Sequence, residues 1–101
     1  MKKRLFYISP IFALLIGGAQ AADGEQLYMT KTCIGCHGPN GQSLVPTFPS
    51  VAGQNADYLF NQMRDIKSGS RSNGQAVVMK GVMAGVNEEE MRVLANWLSA
   101  Q

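Results

Sequence analysis

The stretch Cys33-Ile34-Gly35-Cys36-His37 constrains the fold of this chain more than any other. Cys-x-x-Cys-His is the attachment sequence of c-type haem. The chemistry needs two thiols that add across two vinyl groups on one edge of a porphyrin. Two intervening residues let a short turn or helix end offer both sulfurs to that edge. The adjacent histidine then lies under the iron as its proximal ligand. Gly35 fits because a residue without a β-carbon leaves room against a flat macrocycle. Three other readings account for less. A thioredoxin-like couple expects a βαβ context, and no Val/Ile-rich strand run flanks the motif. A structural zinc site takes four Cys and His ligands, whereas the whole sequence holds two Cys and one His. A plain disulfide leaves His37 without a role. The motif therefore predicts one covalent haem c on Cys33 and Cys36, with its iron on His37.

Residues 1–21 read as a leader. Lys2, Lys3 and Arg4 start it, an apolar run of 15 residues follows from Leu5 to Ala19, and Ala19-Gln20-Ala21 is a small-x-small cleavage site. That is the layout of a secretory signal peptide. A membrane-spanning helix wants about 20 apolar residues, and this run is interrupted by Ser9, Pro10, Gly17 and Gly18. Cleavage predicts a periplasmic domain, residues 22–101, without a membrane span. The leader carries three of the nine Lys and Arg, so six cations face seven Asp and Glu in the mature part, a formal charge of −1. Such a surface argues for neither nucleic acid nor a polybasic membrane patch. A domain of 80 residues has a limited core and commonly needs a staple. With both thiols claimed by the motif, the haem is that staple.

Three main helices are predicted, with no strand. Asp23 and Gln26 form a capping pattern for the first, which runs to about Lys31. Gly24 lies one turn before Tyr28 on the same face, a placement that makes sense where another helix crosses closely. Gly38-Pro39-Asn40-Gly41 is a turn. Gln42 to Gly53 has no period and reads as an ordered loop along one haem edge, with Val45, Phe48 and Val51 turned inward. Asn55 caps a helix through Lys67 that stops at Gly69, with Leu59, Gln62, Met63 and Ile66 on its apolar stripe. Ser68 to Gly74 is a surface loop, where Arg71 is either solvated or paired with a haem propionate. Val77 to Gly85 is apolar and glycine-punctuated without a clean period, so it is expected to be a loop close to the cofactor. Asn87 and Glu90 form a capping box for the last helix. Glu88, Glu89 and Glu90 suit the positive end of its dipole without any catalytic role. Met91, Leu94, Ala95 and Leu98 form its buried face, with Trp97 beside it.

The sixth iron ligand must be sought among the methionines, because no second histidine exists. Met29 is too near the attachment site, and Met63 and Met91 lie on helical stripes. Met79 and Met83 remain.

The mature sequence resembles the class I cytochromes c, and most closely one domain of the bacterial dihaem members or their small monohaem relatives. The resemblance rests on Gly24 with Tyr28, on Cys33-x-x-Cys36-His37-Gly38 and Gly41, and on Pro46-Thr47-Phe48-Pro49-Ser50-Val51-Ala52-Gly53-Gln54. It continues through Tyr58-Leu59 and Gln62-Met63-Arg64-Asp65-Ile66-Lys67-x-Gly69-x-Arg71 to the last helix. It implies an all-α cytochrome c fold around one haem, with Pro46, Phe48, Tyr58, Leu59 and Arg71 about the cofactor. It further implies that the Pro46 carbonyl accepts the Nδ1–H of His37, and that Gly24 and Tyr28 pack on Leu94 and Trp97. Counted back from Asn87, Met79 matches the family's ligand methionine, with Met83 the alternative.

The expected function is one-electron transfer between larger redox proteins, such as a respiratory complex or a terminal oxidase or reductase, by a monomer or weak dimer docking transiently. No general base or nucleophile is apparent, so the chain is expected not to be an enzyme. Two rivals remain: a ligand-binding or peroxidase-like haem protein with a displaceable methionine, and a cytochrome subunit of a membrane respiratory complex.

Overall fold

The computed structural model describes residues 23–101, and the leader lies outside them. The described residues form helices and turns, with no strand, as the all-α expectation required. Residues 23–30 are helical and form α1. A short helix, α2 (Ile34–His37), carries the attachment motif, and a 3-10 turn covers Pro39–Gly41. Then come α3 (Ala56–Ser68), α4 (Ala76–Met83) and α5 (Glu88–Ser99).

The caps read from sequence for α3 and α5 are formed, whereas Asp23, read as the cap of the first helix, is itself helical. The Asn55 side chain accepts from the backbone N–H of Tyr58 at 3.0 Å. Gly69, at φ 90°, closes the other end of α3. At the start of α5, Asn87 Oδ1 accepts from the Glu90 N–H at 2.8 Å, and Glu90 Oε1 accepts from the Asn87 N–H at 3.0 Å. Each satisfied pair removes backbone donors that a helix start otherwise leaves unbonded.

One element differs from expectation. Val77 to Gly85 is not a loop: Ala76–Met83 is a two-turn helix. Ala76 and Met83 are buried while Val77, Val78 and Val82 are exposed, so both its faces are apolar. A helix without a polar face shows no amphipathic period, which is why the sequence hid it.

Helix α3 packs against both α4 and α5, burying Leu59, Met63 and Ile66 with Met91, Leu94, Ala95 and Leu98. The ends of the domain meet where α1 crosses α5. A β-carbon on Gly24 would come within 2.8 Å of the Trp97 side chain at Cγ and nearer still at Cβ. Tyr28, one turn on, sets its ring 5.1 Å from that of Trp97. Its hydroxyl donates to the Gly38 carbonyl, tying α1 to the backbone just after His37.

Two outcomes follow from this crossing. Gly24→Ala should destabilise the holoprotein by about 1–3 kcal/mol through overpacking. Gly81→Ala, on an open stretch of α4 with nothing within 4 Å of the new methyl, should stabilise by up to about 1 kcal/mol. Denaturant unfolding of both variants checks the contrast. Burial pushes the Tyr28 phenol above its ordinary value of 10.0. Above that value the unfolded chain loses the proton first and binds fewer protons than the folded one, so stability falls as pH rises. Tyr28→Phe should remove that part of the fall while costing about 1 kcal/mol at neutral pH through the lost hydrogen bond. Unfolding midpoints from neutral to alkaline pH measure both effects.

Candidate haem-binding site

The attachment motif is aimed by the end of α1. Thr32 sits in the left-handed region at φ 65°. Its N–H reaches the Met29 carbonyl at 3.1 Å, and the Cys33 N–H reaches Tyr28 at 3.1 Å. This is a Schellman ending with threonine where glycine is usual. A β-branched residue held there costs of order 1–3 kcal/mol. The turn swings the chain so that Cys33 precedes α2 and His37 ends it. Gly38 follows at φ 78° and ψ 175°, where a β-carbon would collide with the Gln42 carbonyl. By contrast, a β-carbon on Gly35 meets no protein atom within 4 Å, so protein packing does not demand glycine between the cysteines.

His37 is buried, and its Nδ1 lies 2.7 Å from the Pro49 carbonyl. A carbonyl only accepts, so Nδ1 carries the hydrogen and Nε2 is left as the lone-pair nitrogen. Such a bond fixes the ring's orientation and raises its basicity as a ligand. The partner is Pro49, not Pro46 as the resemblance implied. The Ser43 hydroxyl donates to the Val45 carbonyl at 2.7 Å, and the Phe48 N–H reaches the same carbonyl at 3.4 Å. These bonds curl residues 43–48 into a turn that carries Pro46 outward into solvent. The same turn exposes Val45, at 47%, against the expectation that it points inward, while Phe48 and Val51 are partly buried as expected.

The thiols differ in setting. Cys33 is partly buried and Cys36 exposed, and neither is in a disulfide. Burial pushes the Cys33 thiol up, and the neighbouring Cys36 adds to the effect.

Both thiols, His37 and the Pro49 loop form one wall of a cleft of about 510 Å³, within the range of small-molecule and cofactor sites. Phe48, Tyr58, Leu59 and Met79 line it, together with Met83, Val78 and Val82. Tyr58, Val78 and Val82 are among the exposed large hydrophobic side chains, and their exposure is into this cleft. Eight of the eleven buried apolar residues, including Tyr28, Met63, Ile66, Leu94 and Leu98, also line it. The cleft is therefore the open side of the core. Its chemistry fits haem c: two thiols on one edge, an imidazole with a free nitrogen, thioethers on α4 and apolar walls between. Arg71 stands at the rim, donating to Gln62 Oε1 at 3.0 Å and Asn73 Oδ1 at 3.4 Å. Both partners are neutral amides, and neither ion pair found among the described residues involves Arg71.

Comparison with known proteins agrees with this geometry. Residues 21–101 match the family model described as Cytochrome c. The chain is 36% identical over 81 residues to cytochrome c-554(548) of Halomonas halodenitrificans, covering 80% of this chain and 95% of that protein. It is also 36% identical over 102 residues to cytochrome c-553 of Nitratidesulfovibrio vulgaris, covering 98% of each. Reduced recombinant cytochrome c4 from Pseudomonas stutzeri superposes with a TM-score of 0.71 at 32% identity, over 82% of this chain and 48% of the longer one. The chain thus belongs to the cytochrome c family, electron carriers that hold haem c covalently.

Proposed function

We propose that this chain is a soluble electron carrier of the periplasm, exporting itself by residues 1–21 and holding its haem iron between His37 and Met79. The observation that carries the ligand reading is the contrast between two methionines one helical turn apart on α4. Met83 borders the cleft but is 2% exposed, almost wholly covered by the core. Met79 lines the same cleft and is only partly buried, so of the two it offers more of its side chain to a group placed there.

When bound, the haem supplies an iron that gains and loses one electron. Cys33 and Cys36 hold its edge, His37 offers Nε2 with its ring fixed by Pro49, and Met79 offers a thioether. A thioether ligand added to the imidazole would raise the reduction potential. Tyr58, Leu59 and Phe48 keep water from the metal's surroundings, and Arg71 is placed to pair with a carboxylate at the rim. With His37 and Met79 both holding the iron, no position would remain open for a substrate, so the partners would be redox proteins that dock transiently. No described helix is long and apolar enough to cross a membrane.

The test is the weak sulfur-to-iron absorption band of the purified ferric protein. Met79→Ala should lose the band, lower the reduction potential and bind added imidazole. Met83→Ala should keep the band while losing about 2–5 kcal/mol of stability as a core truncation. A band that survives Met79→Ala, or mature protein without haem, would overturn the reading.

A further inference from the structure

The turn between α4 and α5 is built from Ala84, Gly85 and Val86, whose side chains offer no hydrogen bonds. Two lysines from elsewhere in the chain hold it instead. Lys67, in the last turn of α3, places Nζ 2.7 Å from the Val86 carbonyl, 3.1 Å from that of Met83 and 3.4 Å from that of Ala84. An ammonium has three donors and no acceptor, so this set uses all of them. Lys31, just after α1, donates to the Gly85 carbonyl at 2.8 Å and lies 3.7 Å from Glu90 Oε2. The other oxygen of Glu90 closes the capping box of α5. Four successive carbonyls, from Met83 to Val86, thus face a cation.

Lys67 takes part in neither ion pair of the described residues, so its bonds fix backbone position rather than neutralise a carboxylate. The backbone they fix is the end of α4. That helix has eight residues and no side-chain cap at its start, and a helix so short is marginal alone. Cations at its C-terminus also complement its dipole. We infer that Lys67, assisted by Lys31, is a positioning residue that anchors α4 so that the Met79 thioether stays at the iron. The inference rests on Met79 being the axial ligand, as proposed above.

Four variants of the ferric holoprotein test it: Lys67→Leu, Lys67→Arg, Lys31→Leu and Met91→Ala. The last truncates a buried residue outside the cleft and reports the effect of lost stability alone. Lys67→Leu should bind imidazole at least about tenfold more tightly than the parent, a shift of about 1.4 kcal/mol, and weaken the sulfur-to-iron band. Lys67→Arg, which can still donate to carbonyls, should return most of both. Lys31→Leu should move both in the same direction by less. Met91→Ala should lower the unfolding midpoint with imidazole affinity unchanged. A Lys67→Leu protein that loses stability but binds imidazole as the parent does would overturn the inference and leave the ligand reading intact. A parent protein without the band would overturn both. Should Lys67→Leu fail to mature, amide exchange in the parent decides. Ala84, Gly85 and Val86 amides protected like those of α3 support the clamp, and exchange as fast as in residues 70–74 overturns it.

Discussion

The contact of Gly24 with Trp97 is the constraint from which the rest of the architecture follows. Only because the backbone of α1 can lie against the indole does the first helix cross the last closely. That closeness brings the Tyr28 ring onto Trp97 and its hydroxyl onto the Gly38 carbonyl. Tyr28 therefore holds the segment after His37 from the same helix that delivers Cys33. Both ends of the attachment motif are registered by one residue, and that residue is registered by the crossing.

From there the site is assembled by backbone groups more than by side chains. The Pro49 carbonyl selects the tautomer of His37, the left-handed Thr32 turns the chain into α2, and carbonyls 83–86 receive the two lysines. These are positions where a substitution changes little directly, since the interacting atoms belong to every residue type. Specificity lies in the path of the chain, set by proline, glycine and the polar side chains that curl the loop.

That division explains what was legible in the sequence. Side-chain chemistry was readable: Cys33, Cys36 and His37 declare the cofactor, Asn55 and Asn87 declare helix starts, and the stripes through Leu59–Ile66 and Met91–Leu98 declare the core. Backbone partners were not. Pro46 and Pro49 are three residues apart in an aperiodic loop, and only the turn made by Ser43 decides which carbonyl reaches His37. The same turn sends Val45 into solvent when its apolar character suggested burial. Helix α4 was hidden because Val78 and Val82 face a cleft rather than water, which erases the polar half of the usual pattern. Lys67 left no mark either, for a lysine bound to carbonyls looks like any solvated lysine on an amphipathic helix.

The sharing of residues between core and cleft has a consequence for the life of the molecule. Leu59, Ile66, Leu94 and Leu98 are buried against one another on one side and border the cleft on the other. A large apolar group fixed there completes their burial and draws the folding equilibrium toward the native state, as any tightly held partner of that state does. A copy that never acquired it would leave those faces bare and would be expected to open more often to proteases. For these side chains, gripping the cofactor and closing the interior are one and the same event.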